Sequence, residues 1–258
     1  MTATMTSENY DLVVIGAGPG GYVAAARAAR LGMRVACVDK QYLGGTCLNV
    51  GCIPSKALLE SSELYHQLKT GVDHHGISTG SVDLDLNAMM ARKERIVETM
   101  TKGIGGLFGQ HDVTFMQAAA RIAGAGQVEA VSEDGTRSLT CGRILLATGS
   151  VPFELPDLPF DGAQVLSSTE ALALTAVPQR MIVVGAGAIG LELGSVWNRL
   201  GAEVLVVEFM DHILPGADRE MSTLLQRLLK RQGLEFRLQS SARDAVVENG
   251  KVRLTVAG

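Results

Sequence analysis

The sequence predicts an α/β protein of two parallel-sheet units, each opened by a glycine-rich turn. Three observations carry this. Residues 13–39 (VVIGAGPGGYVAAARAARLGMRVACVD) return at 182–208 as IVVGAGAIGLELGSVWNRLGAEVLVVE, an offset of 169 from Gly16 to Gly185. Each copy reads as apolar strand, G-x-G-x-x-G turn, helix, Leu-Gly stop and second apolar strand. Each then closes on an acid 23 residues after the first glycine, Asp39 after Gly16 and Glu208 after Gly185.

The spacing has a physical meaning. Gly16 and Gly185 permit the tight strand-to-helix turn. Gly18 and Gly187 let the backbone approach a pyrophosphate, and Gly21 and Gly190 let helix and strand pack closely. The helix N-terminus turns its unsatisfied N–H groups and positive dipole end toward that anion. Asp39 and Glu208 stand where a carboxylate can accept from ribose hydroxyls. A lone G-x-G-x-x-G is a weak signal, but here the flanking strands, helix and acid are present twice.

Other elements follow in order. Residues 52–70 read as a helix with Pro54 at an early position. Residues 87–108 read as a second, long helix, with Met89, Met90, Ile96, Val97 and Met100 on a stripe expected in the core. Residues 111–148 alternate short apolar runs with turn signals such as Asp134-Gly135, as antiparallel strands do. Arg143 to Gly149 is an apolar strand ending in a small-residue turn. Pro152, Pro156, Pro159 and Gly162 mark 151–162 as a linker. Residues 217–232 read as an amphipathic helix, with short strands near 234–239, 243–248 and 251–256.

Composition narrows the function classes. The chain has 258 residues, 47% hydrophobic and 19% charged, with a formal net charge of −4, which argues against disorder. Aromatics at 4%, with Trp197 the one tryptophan, and the absence of a basic excess argue against nucleic acid. No apolar run reaches the roughly 18–20 residues of a spanning helix. Met1 to Asp11 has no basic residue and no apolar core, so neither a signal nor a transit peptide is read there. Four cysteines do not make a secreted disulfide framework, so a cytoplasmic protein with reduced thiols is expected.

Cys47 and Cys52 stand in GGTCLNVGCIPSK, residues 44–56. In a regular α-helix, Cα atoms five residues apart are about 8.7 Å from each other. A disulfide needs roughly 4.4–6.8 Å. If this pair bonds, the backbone between them cannot be regular helix, and Gly51 and Pro54 favour such irregularity. A pair of structural thiols stays open on spacing alone. A metal site is disfavoured because no second Cys/His pair stands nearby. Cys37 and Cys141 lie on apolar strands and are expected to be inert.

From Tyr10 onward the chain resembles the flavin-dependent pyridine nucleotide-disulfide oxidoreductases, most closely the dihydrolipoamide dehydrogenase family. The resemblance rests on GGTCLNVGCIPSK, on GAGAIGLELGSVWNRLGAEVLVVE and on LLATGS at 145–150. It implies two Rossmann-like domains, one for FAD at residues 1–150 carrying a redox-active disulfide, the other for NAD at 151–258. Gly16, Gly18 and Gly21 would hold the FAD pyrophosphate. Asp39, where most of the family carries glutamate, would bind its ribose. Gly45, Thr46, Lys56, Thr148 and Gly149 are implied as further cofactor contacts. Cys52 would be the thiol nearer the flavin and Cys47 the one that exchanges with substrate. Lys56 would lie beside the flavin and pair with Glu192. Gly185, Gly187 and Gly190 would take the NAD pyrophosphate and Glu208 its ribose. A carboxylate there repels a 2′-phosphate, which reads as NAD rather than NADP.

The implied reaction moves electrons from a dihydrolipoyl dithiol through the disulfide and FAD to NAD. The implied partners are the lipoyl groups of 2-oxoacid dehydrogenase complexes or of the glycine cleavage system, and a second subunit in a homodimer. The family runs to nearly twice this length. The chain is therefore expected to be an amino-terminal portion, with the NAD domain incomplete and the interface domain and its catalytic base absent. His66, His74, His75, His111 and His212 match no motif of that base. A mercuric-reductase-like relative and a non-catalytic nucleotide-binding remnant are the competing readings.

Overall fold

The computed structural model describes residues 8–258. Residues 1–7, part of the stretch read above for a leader, lie outside the described residues. Contacts divide the chain into two compact units, Met1–Ile53 with Arg95–Val151, and Pro54–Glu94 with Pro152–Gly258.

In the first unit, β1 (Glu8–Ile15) is buried from Leu12 to Ile15. Such a continuous apolar run suits a central parallel strand covered on both faces. The turn after it leads into α1 (Pro19–Arg30), where proline at the start costs no hydrogen bond. Ala25, Ala26 and Ala28 form its buried face, and Gly32, at φ +87°, follows its end. The chain returns as β2 (Val35–Asp39). The segment α2 (Gly45–Val50) is followed by α3 (Cys52–Thr70), and then by α4 (Leu86–Gln110).

The strands β3 (Thr114–Gln117), β4 (Ala119–Gly124), β5 (Gln127–Ser132) and β6 (Gly135–Leu146) complete a sheet of order β3-β2-β1-β6-β5-β4. The antiparallel expectation holds for β4, β5 and β6 but not for β3, which pairs with β2 in parallel. The reason is the crossover: α4 returns the chain to the starting end of the sheet, so β3 runs alongside β2. Strand β6 serves two neighbours, antiparallel to β5 from Gly135 to Thr140 and parallel to β1 from Leu139 to Leu146. Leu12 and Val14 pack on one face with Val35 and Phe108, while Val13 and Ile15 pack on the other with Val38 and Leu139.

In the second unit, α5 (Ser168–Ala171) begins with a Ser167–Glu170 capping box. It precedes β7 (Arg180–Val184), α6 (Ala188–Arg199), β8 (Glu203–Val207), α7 (Arg219–Arg231) and β9 (Glu235–Arg237). The three strands form a parallel sheet of order β7-β8-β9. An antiparallel hairpin, β10 (Ser241–Glu248) with β11 (Lys251–Ala257), follows. Fully buried Trp197 lies in the core with Val196, Val206 and Ile213. Leu58, Met89 and Met90 belong to this same core, which is why the 54–94 segment groups with the second unit.

The methionine stripe needs one correction. Met89 and Met90 pack as expected and Val97 is buried, but Met100 is 46% exposed. Farther along α4, the buried positions are Val97, Ile104 and Phe108, and Met100 falls to the side of that line.

Candidate functional site: two glycine turns and a cysteine segment

The two units repeat the same backbone hydrogen bond and glycine conformation at their turns. Strands β1 and β7 end at Ile15 and Val184, and α1 and α6 are both 12 residues long. The Gly16 N–H donates to Val38 O at 2.7 Å, and the Gly185 N–H donates to Val207 O at 2.8 Å. Gly16 and Gly185 have φ of +103° and +99°, where a side chain is strained. A Cβ on Gly21 would stand 1.8 Å from Gly16 O, and one on Gly190 would stand 2.5 Å from Gly185 O. The third glycine of each turn is thus required by helix–turn packing. The second is not: a Cβ on Gly187 meets nothing within 4 Å. Gly18 and Gly187 are the helix N-caps, with no side chain capping the N–H groups behind them. Open backbone at a helix N-terminus fits the pyrophosphate of a dinucleotide.

Each acid braces its own turn. Asp39 Oδ2 accepts from the Ala17 N–H at 2.7 Å, and Oδ1 accepts from Gln41 and Tyr42. Glu208 Oε2 accepts from the Ala186 N–H at 2.6 Å, and Oε1 accepts from Met210 at 2.7 Å. Glu208 is buried although charged, and these N–H groups are what make that burial tolerable. Each carboxylate oxygen can accept more than one hydrogen bond, so both acids retain capacity toward a ribose.

The cysteine segment rests on the first turn. The Gly44 N–H donates to Ala17 O at 2.9 Å. Gly45, at φ +62°, lies so close to Gly18 that a Cβ would stand 2.4 Å from its Cα. Asn49 holds the segment's shape by donating from Nδ2 to Gly45 O at 2.9 Å and Leu43 O at 3.1 Å. Thr46 and Cys47 lie on α2, and Cys52 opens α3. Between them Gly51 takes φ −145° and ψ −114°, so the helix is broken between the two cysteines. A Cβ at Gly51 would stand 2.8 Å from Thr46 O and 3.2 Å from Cys47 Cα. Thr148 and Gly149 follow β6 beside the same turn. A Cβ on Gly16 would strike Ala147 O and reach within 3.1 Å of Thr148 N.

In the second unit Lys56 and Glu192 meet. Lys56 Nζ donates to Oε1 at 2.7 Å and to Oε2 at 2.8 Å. Buried Ser55 donates from Oγ to Glu192 Oε2 at 3.1 Å. The sequence reading had no role for Ser55, whose neighbour in sequence, Lys56, carried the signal.

A second group was missed altogether. Arg219 donates to Asp211 from Nη1 at 3.1 Å and from Nη2 at 2.7 Å. His212 Nδ1 lies 2.7 Å from Asp211 Oδ1 and 2.9 Å from Arg219 Nη1. The Arg219 hydrogen bonds, and then that of His212, hold the Asp211 carboxyl down at about 2.

The other two cysteines sit in the first sheet. Cys37 is fully buried on β2, and burial, with the Asp39 charge adding to it, pushes its thiol up to about 12. Half-buried Cys141 lies on β6, and burial raises its thiol as well. Among the described residues no cluster of three or more His, Cys, Asp or Glu could hold a metal ion. None of their helices is long and apolar enough to cross a membrane.

A family model described as pyridine nucleotide-disulphide oxidoreductase matches residues 10–258. Dihydrolipoyl dehydrogenase 3 of Pseudomonas aeruginosa is 51% identical over 234 residues, covering 90% of this chain and 50% of that protein. Mitochondrial dihydrolipoyl dehydrogenase 1 of Arabidopsis thaliana is 46% identical over 256 residues, covering 98% of this chain and 50% of that one. The crystal structure of LpdA from Mycobacterium tuberculosis superposes with a TM-score of 0.86 at 25% identity, over 96% of this chain and 55% of that one. The chain spans about half the length of the curated relatives it matches.

Proposed function

The chain belongs to the pyridine nucleotide-disulphide oxidoreductase family, and we propose that it forms the flavin-binding and nicotinamide-binding parts of a dihydrolipoyl dehydrogenase. The observation that carries this reading is the seat of Gly45 on Gly18, which sets the cysteine segment on the first dinucleotide turn. A redox pair placed there stands next to a cofactor whose pyrophosphate occupies that turn. The relatives named dihydrolipoyl dehydrogenase favour a lipoyl dithiol as substrate.

In the first unit Gly16, Gly18, Gly21, Asp39, Gly45, Thr46, Thr148 and Gly149 would hold FAD. In the second, Gly185, Gly187, Gly190 and Glu208 would hold NAD, with the Glu208 charge disfavouring a 2′-phosphate. When bound, FAD would supply the two-electron link between a dithiol and the nicotinamide.

The chain's own thiols do the exchange. A substrate thiolate attacks the Cys47 sulfur of a Cys47–Cys52 disulfide, forming a mixed disulfide and releasing Cys52 as thiolate. The second substrate thiolate then displaces Cys47, so the substrate leaves as a cyclic disulfide and both cysteines are reduced. Lys56, oriented by Glu192, would supply a cation to a bound flavin. The lipoyl group would come from a 2-oxoacid dehydrogenase complex or the glycine cleavage system, and the whole protein would work as a homodimer.

The test uses the full protein carrying this chain, loaded with FAD. NADH formation from dihydrolipoamide and NAD is followed for wild type, Cys47→Ser and Cys52→Ser. The reading expects turnover in wild type and its loss in both variants. Turnover that survives either substitution overturns it.

A further inference from the structure

Glu208 is the residue that sequence reasoning holds responsible for excluding a 2′-phosphate. An arginine able to reach a 2′-phosphate would undo that exclusion, and Arg219 pairs with Asp211, three residues beyond Glu208. The loop between β8 and α7 folds back on the second glycine turn, with the Leu214 N–H donating to Ala186 O at 2.9 Å and Ile213 fully buried beneath it. Met210 donates its N–H to Glu208, and Asp211 is the next residue. Three trans peptide units limit Glu208 and Asp211 to about 11 Å between Cα atoms. Asp211 thus belongs to the same loop as Glu208, within that reach of it, and it engages both terminal guanidinium nitrogens of Arg219.

We infer that Asp211 is a specificity-determining residue for the nicotinamide cofactor: it engages Arg219 in a two-pronged ion pair and so withholds from a 2′-phosphate the cation that would otherwise bind it. The inference rests on the reading of the second unit as an NAD site and deepens it. Planar guanidinium recognises phosphate and carboxylate with the same two-pronged geometry, so the two compete directly for Arg219. His212 closes the third side of the pair. Selection is then two-layered: Glu208 repels the phosphate, and Asp211 occupies the phosphate's partner, Arg219.

The size of the effect follows from exposure. The Arg219 side chain is 60% exposed and that of Asp211 48% exposed, so the pair is weak and releasable. Removing Asp211 should change the preference by about two- to fivefold, not by orders of magnitude.

The experiment measures binding, not turnover. In the full FAD-loaded protein, affinities for AMP and for adenosine 2′,5′-bisphosphate are compared by calorimetry, so that the ratio isolates the 2′-phosphate. Wild type should prefer AMP. Asp211→Ala should move the ratio about two- to fivefold toward the bisphosphate, and Asp211→Asn should move it in the same direction. Asp211→Ala with Arg219→Ala should return the ratio to near the Arg219→Ala value. The gain should shrink as salt is raised. A gain that persists without Arg219, or no gain in either Asp211 variant, overturns the inference. A wild type that binds the bisphosphate as tightly as AMP overturns instead the NAD reading beneath it.

Discussion

The Glu208 carboxylate holds the Ala186 N–H at 2.6 Å, as the Asp39 carboxylate holds the Ala17 N–H at 2.7 Å. The acid that closes each dinucleotide unit is therefore also a strut of its glycine turn. Ala17 and Ala186 are fully buried, so neither N–H can turn to solvent if its acceptor is removed. Glu208→Ala should cost about 1.5–3 kcal/mol, the scale of a charge-assisted hydrogen bond. Glu208→Gln retains a carbonyl acceptor and should cost less. Urea unfolding measures both, and an Ala variant as stable as wild type would show that the strut carries no weight.

Gly45→Ala should break the seat of the cysteine segment. Alanine would be forced to φ +62° with its Cβ 2.4 Å from Gly18 Cα, a clash with backbone that cannot rotate away. The expected loss exceeds about 2 kcal/mol. Gly80→Ala, where a Cβ meets nothing within 4 Å, is the control and should stay within about 0.5 kcal/mol of wild type. Thermal unfolding of the two variants side by side decides it.

Cys37 makes the protein less stable in alkali. Burial lifts its thiol from 9.0 to about 12 on folding. Above the unfolded value, the unfolded chain loses a proton that the folded chain keeps, so stability falls as pH rises from 9.0 toward about 12. Between about pH 8 and pH 10, wild type should lose roughly 1 kcal/mol more stability than Cys37→Ala. Denaturant midpoints at the two pH values measure the difference, and equal losses would refute it.

Lys56→Met should leave stability nearly unchanged. The Lys56 side chain is 58% exposed and that of Glu192 30%, and such a pair contributes at most about 1 kcal/mol. With the role proposed for Lys56, its loss should make the reduction potential of the bound flavin more negative. A normal potential in the FAD-loaded variant would remove Lys56 from the site.

Much of this was legible in the sequence for physical reasons. Glycine spacing encodes a turn directly, so Gly16 to Gly21 and Gly185 to Gly190 were readable as geometry. The helix break at Gly51 was readable as the condition a Cys47–Cys52 disulfide would need. The direction of β3 was not legible, because the four residues of Thr114–Gln117 carry no directional signal and the return of α4 decides it. Nor was the bracing of Ala17 and Ala186, since a backbone N–H has no letter of its own. Asp211 and Arg219 stand eight residues apart across a loop, a separation with no periodicity to reveal it.

The proposed function assigns exchange with a dithiol substrate to Cys47 and Cys52. The full protein carrying this chain, loaded with FAD and held free of oxygen, is treated with dihydrolipoamide, quenched in acid and alkylated with a mass tag. Peptide mass spectrometry then locates the tag with and without substrate. Substrate should add tag at Cys47 and Cys52 together and leave Cys37 and Cys141 unchanged. Substrate-dependent tagging at Cys37 or Cys141, or none at the Cys47–Cys52 pair, would contradict that assignment.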